Sequence, residues 1–131
     1  TLNRILPYAM MYRLCSYILM PRKRNQTSRK IYQREAQKLT REAYMRWVSL
    51  SKYFIKLLKR FFKTKSSFEN LIIMGGQDYV FLSGARKYAR NQAKSTFIVI
   101  PAVGHICNID GRNVFNNHVI QFFFDNQSAG K

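Results

Sequence analysis

Two stretches decide how this sequence is read: LIIMGGQDYVFLSG, residues 71–84, and FIVIPAVGHICNID, residues 97–110. Each begins as a short apolar run, stops at a glycine-containing turn and then presents one ionisable side chain, Asp78 in the first and His105 in the second. Leu71 to Met74 is continuously apolar, and Thr96, Ile98, Val99 and Ile100 are β-branched up to Pro101. Such runs predict strands buried on both faces. Between them, Ser83 to Lys94 reads as a helix whose inner face holds Ala85, Tyr88, Ala89 and Ala93. Arg112 to Phe124 reads as a closing helix with Val114, Phe115, Val119, Ile120 and Phe123 apolar.

Strand, helix, strand, helix with apolar strands predicts an α/β fold with a parallel sheet. Two strands leave two edges and two apolar faces unprotected. The sequence therefore predicts further strands upstream of Thr1 or from a second chain, and with them self-association of these 131 residues.

Upstream the period changes. No proline or glycine occurs between Arg22 and Lys65, and Ile31, Ala36, Leu39, Ala43 and Trp47 recur at steps of three to five. Tyr53, Phe54, Leu57, Leu58 and Phe61 form a second helical stripe. We expect a helix over residues 1–20 ending at Pro21, then two or three helices over residues 27–62, with Thr40 or Ser51 available as caps. The charge divides with the pattern. Residues 1–66 carry 17 Lys and Arg against Glu35 and Glu42, a balance of +15, whereas residues 67–131 balance at +2. The expected organisation is a basic helical segment, 1–66, followed by a β-α-β-α segment, 67–131.

Arg4, Pro7 and Arg13 interrupt the apolar first twenty residues, so no run reaches the ~20 uncharged residues that span a bilayer. No small-residue cleavage site of a secretory signal follows. Cys15 and Cys107 lack the spacing of a disulfide framework and are expected as reduced, buried thiols, in a cytoplasmic setting.

The glycine-turn acid after one strand and Gly-His after the next, followed by an apolar helix in FNNHVIQFF, resemble the C-terminal third of an α/β-hydrolase. The resemblance covers residues 68–124, and 1–67 by position and helicity. It implies that Asp78 is the acid and His105 the base of a Ser-His-Asp triad. It also implies that the basic helices correspond to a cap, that the substrate is a small acyl or ester compound, and that no cofactor or metal is needed. The chemistry explains the pattern. A serine hydroxyl becomes nucleophilic when an imidazole takes its proton, and a carboxylate holds that imidazole in one tautomer. Loops at the carboxyl ends of parallel strands converge, and Gly75, Gly76 and Gly104 would permit their sharp turns.

The nucleophile does not accompany them. None of the nine serines has glycine two residues before it, and neither cysteine is flanked by glycine. The resemblance therefore implies a G-x-S-x-G elbow upstream of Thr1, and 131 residues inactive alone against ester, thioester or carbon–carbon bonds.

Plainer readings stand beside these. Asp78 could be a turn-capping aspartate and His105 a structural histidine. His118 has no partner motif, and a metal site of His105, Cys107 and His118 lacks a fourth ligand at a usual spacing. Trp47, Tyr53, Phe54, Phe61 and Phe62 are either helix packing or the wall of an acyl pocket. The cluster Arg22, Lys23, Arg24, Arg29, Lys30, Arg34, Lys38 and Arg41 supports an alternative function, a non-catalytic basic module that binds an anionic lipid surface or nucleic acid. No nucleic-acid-binding motif accompanies the charge, which ranks that partner lower.

Overall fold

Proline at position 21 stops the first helix, and the next two turns of chain are organised around the carbonyls left exposed there. The structure, a computed structural model, describes residues 8–129. The part of the expected first helix at residues 1–7 lies outside them. The chain separates into two units, Thr1–Lys65 and Ser66–Lys131.

In the first unit, α1 runs Tyr8–Leu19, a single 3-10 turn covers Lys23–Asn25, α2 runs Gln26–Gln37 and α3 runs Arg41–Lys63. Arg29 stands apart from the rest of the basic cluster. It is buried, and its Nη1 donates to the carbonyls of Met20 and of Arg22, the latter at 2.6 Å. Its guanidinium also lies 4.9 Å from the Tyr17 ring centroid. A cation held by carbonyls at a helix C-terminus satisfies acceptors that have no intrahelical donor. The other seven basic residues of that cluster are exposed. Gln33 Nε2 donates to Ser16 Oγ at 2.7 Å, and Tyr12 packs edge-on against Tyr32 and Tyr44, so α1, α2 and the first turn of α3 share one small interior.

Of the two expected caps, Thr40 serves: its side chain accepts from Ala43 N at 3.2 Å and starts α3. Ser51 lies inside α3 and donates to Val48 O at 2.6 Å instead. The break at Thr40 also ends the apolar stripe drawn from Ile31 to Trp47. Ala36 is buried, whereas Trp47 is 64% exposed.

In the second unit, β1 (Asn70–Gly75) and β2 (Ser95–Ile100) pair in parallel, Asn70 opposite Ser95 and Gly75 opposite Ile100. The protein is thus mixed α/β and mostly helical, with a two-stranded parallel sheet among the described residues. Helix α4 (Leu82–Arg90) connects the strands, and the four-residue α5 (Cys107–Asp110) leads into α6 (Arg112–Ala129). Along the strands only Gly75 and Ile100 are buried; Thr96 is exposed and the others are half-buried. The expected burial on both faces is not reached, because each strand of a pair is an edge strand with little to cover it. Helix α4 ends four residues earlier than expected, so Ala93 falls outside it and is exposed, while Ala89 is buried. Helix α6 is longer than expected and leaves Val114, Ile120 and Phe123 exposed. The core is small: Ile100, Val103 and Cys107, with Ile73 and Phe115 packed against them.

Glycine is required at position 75 for closeness. A Cβ there would overlap the carbonyl oxygens of Gly104 and Val103. These are backbone atoms, and they cannot swing aside. Gly75→Ala should therefore destabilise the chain by about 3 kcal/mol. Gly76→Ala, whose Cβ meets nothing nearer than 3.3 Å, should cost about 1 kcal/mol or less. Urea unfolding followed by circular dichroism distinguishes the two; equal losses would contradict the close approach.

Candidate active site

The loops after β1 and β2 lie side by side because each strand continues its hydrogen bonding into the turn. Gly76 N donates to Ile100 O at 2.8 Å and Gln77 N to Val103 O at 2.9 Å. The first loop then folds back, with Asp78 N donating to Gly75 O at 3.1 Å. Among the described residues no glycine takes a left-handed φ; the one left-handed position in the second loop is Ala102, at φ 61°. The turns expected to need glycine flexibility at 75, 76 and 104 are made without it. Gly75 is needed for space instead, and the strained position falls on an alanine.

This geometry brings Asp78 and His105 together. His105 Nδ1 lies 2.7 Å from Asp78 Oδ2, with the aspartate fully buried and the histidine side chain 33% exposed. The second carboxylate oxygen, Oδ1, accepts from Phe81 N at 2.9 Å and Val80 N at 3.2 Å. Asp78 is therefore the turn-capping residue and the histidine's partner at once, one oxygen for each. Both oxygens of the buried carboxylate are hydrogen-bonded, which offsets the cost of removing it from water. The Phe81 ring lies 5.1 Å from the imidazole centroid, tilted by 33°, and limits the ring's freedom to rotate.

A carboxylate only accepts, so the imidazole presents Nδ1–H to it and leaves Nε2 as the basic nitrogen. An oriented imidazole of this kind can take a proton from a hydroxyl or a water. Among the described residues His105 makes no hydrogen bond to a serine or cysteine. Cys107, two residues on, is buried, and its Sγ lies 3.7 Å from Ile73 O. Burial pushes its thiol pKa up and the charges of Asp78 and Asp110 add to this, against backbone hydrogen bonds that lower it. It packs as a core residue, as its sequence suggested. Cys15 is also free, but only half-buried. His118 is half-buried on α6, and among the described residues no group of three or more His, Cys, Asp and Glu side chains could hold a metal ion.

Sequence reasoning did not identify Phe81 or Gln77 as parts of the site. Gln77 is buried and its Oε1 accepts no hydrogen bond. No motif marks either residue, since their roles come from loop packing. Compared with family models, curated proteins and solved structures, the chain matches none.

Two measurements test this geometry. In Asp78→Asn, the amide nitrogen facing Nδ1 should move the imidazole proton to Nε2, while Oδ1 still accepts from Val80 and Phe81. Long-range proton–nitrogen spectra should show the tautomer reverse; an unchanged tautomer would contradict the contact. The raised thiol pKa leaves Cys107 less thiolate than an unperturbed cysteine at mildly alkaline pH. Its alkylation should be slower than in the urea-unfolded chain and should recover as pH rises, as followed by peptide mass spectrometry.

Proposed function

We propose that Asp78 and His105 are the acid and base of a serine hydrolase of the α/β-hydrolase class. The observation that carries this reading is the 2.7 Å contact between Asp78 Oδ2 and His105 Nδ1, made by loops at the carboxyl ends of two adjacent parallel strands. Ligand chemistry in open α/β sheets gathers at that end of the strands.

In this reading His105 Nε2 takes the proton of a serine hydroxyl as the oxygen attacks a carbonyl carbon, and returns it to the leaving group. Asp78 keeps Nδ1 protonated and lowers the energy of the imidazolium formed. Burial strengthens that electrostatic term, because water is kept from the carboxylate. The substrate class is an ester, a thioester or an activated carbon–carbon bond, and the acid–base steps use side chains alone. The serine is supplied by polypeptide outside these 131 residues, since none here stands in a G-x-S-x-G elbow. The basic unit corresponds to a cap in the same reading.

A fluorophosphonate probe, which labels an activated serine, tests the proposal. The 131 residues alone should remain unlabelled, whereas a longer product of the same coding sequence should be labelled on one serine and hydrolyse a short p-nitrophenyl ester. His105→Ala should reduce both by about 10³-fold or more, in line with the loss of a general base. A coding sequence with no G-x-S-x-G upstream of Thr1, or full turnover by His105→Ala, would overturn the reading.

A further inference from the structure

Helix α3, which the hydrolase reading assigns to a cap by position alone, displays apolar side chains to solvent. Its 23 residues extend about 35 Å. Its first turn is held by packing through Tyr44, which is buried against Tyr8 and Tyr12. Beyond that turn the helix carries two opposed faces. Trp47, Leu50, Phe54, Leu57, Leu58 and Phe61 recur at helical spacing, and each is exposed, from 36% at Leu58 to 64% at Trp47. Lys52, Lys56, Lys59 and Lys63 recur at steps of four, three and four on the other face, also exposed. Arg46 and Arg60 lie at the border beside Tyr53, and Glu42 is the helix's one acid.

We propose that α3 is a membrane-surface helix: it lies in the interface of an anionic lipid bilayer, with its aromatic face among the acyl chains and its lysines at the headgroups. Three observations select this occupant. The apolar face is wide and aromatic, which suits the acyl boundary and would gain nothing from a phosphate backbone alone. The opposite face carries four exposed lysines, with Met45 near its start, and complements anionic headgroups, while the long side chains of Arg46 and Arg60 at the border can reach back to them. A second copy of this chain is a poor cover, because it brings another +17 against the first. The helix lies on the membrane and does not cross it: no helix among the described residues is long and apolar enough to span. This inference is independent of Asp78 and His105.

Trp47 is the sole tryptophan of the chain, so its fluorescence reports α3 directly. The 131-residue protein should be mixed with vesicles of phosphatidylcholine containing a quarter phosphatidylglycerol, and separately with pure phosphatidylcholine. With the anionic vesicles, Trp47 emission should shift to the blue, be quenched by brominated acyl chains, and return toward its free position as salt is raised. Partitioning should be at least tenfold stronger than to pure phosphatidylcholine. Each lysine near an anionic surface contributes about fivefold, so Lys52→Gln/Lys56→Gln/Lys59→Gln should bind on the order of a hundredfold more weakly. All three positions are exposed, and circular dichroism checks that the fold is retained. Phe54→Glu, on the apolar face, should also lose binding while keeping the lysines. Unshifted emission with anionic vesicles, equal binding to both vesicle types, or undiminished binding by the triple variant would overturn the proposal. So would a lipid-free protein that sediments as a dimer with Trp47 already blue-shifted, which would assign the face to a second copy.

Discussion

Loops leaving adjacent parallel strands can place two side chains in contact only if their backbones approach closely, and here that approach is set at Gly75. Its missing Cβ leaves room for the carbonyls of Val103 and Gly104. The same Val103 carbonyl accepts from Gln77 N, one residue before Asp78. The spacing between the loops is therefore fixed by backbone sterics and a backbone hydrogen bond, and it does not rely on the side chains it serves. The Asp78–His105 contact follows from that spacing. So does the small core beneath, where Ile100, Val103 and Cys107 pack.

A buried carboxylate needs donors arranged around it to offset its lost hydration. Asp78 meets this condition by dividing its oxygens: Oδ1 takes the two amides of the turn leading into α4, and Oδ2 takes the imidazole. Turn capping and histidine orientation are thus two halves of one arrangement. The backbone amides hold the carboxylate in place independently of the imidazole. That is the physical requirement for an acid–base partner, and it underlies the hydrolase proposal.

The two units use charge differently. In the second, charge is sparse and the buried acid is fully partnered. In the first, one cation is built into the interior: Arg29 satisfies carbonyls at the end of α1 and stacks near Tyr17. Among the described residues the rest is displayed on the surface, and on α3 the display is segregated, lysines to one side and aromatics to the other. So much exposed apolar surface on one helix costs free energy in water. Its amphipathic ordering gives that surface a specific use at a bilayer interface.

Much of this was legible in the sequence because it rests on local physics. The strands after Asn70 and Ser95 follow from β-branched and apolar runs, the start of α3 from the Thr40 cap, and the candidacy of Asp78 and His105 from their positions just beyond strand ends. Boundaries that depend on neighbours were not legible: the early end of α4, the short α5, and the half-buried state of both strands. Arg29 reads as one more surface charge in a basic run, and only folding α2 back toward the end of α1 makes it an interior cap. Phe81 and Gln77 carry no motif, because their proximity to His105 and to the second loop arises from long-range contacts that a linear pattern does not encode. Residue type and spacing determined which groups could react. Tertiary structure decided that the carboxylate and the imidazole meet, because only the approach of two distant backbones sets a distance between side chains 27 residues apart.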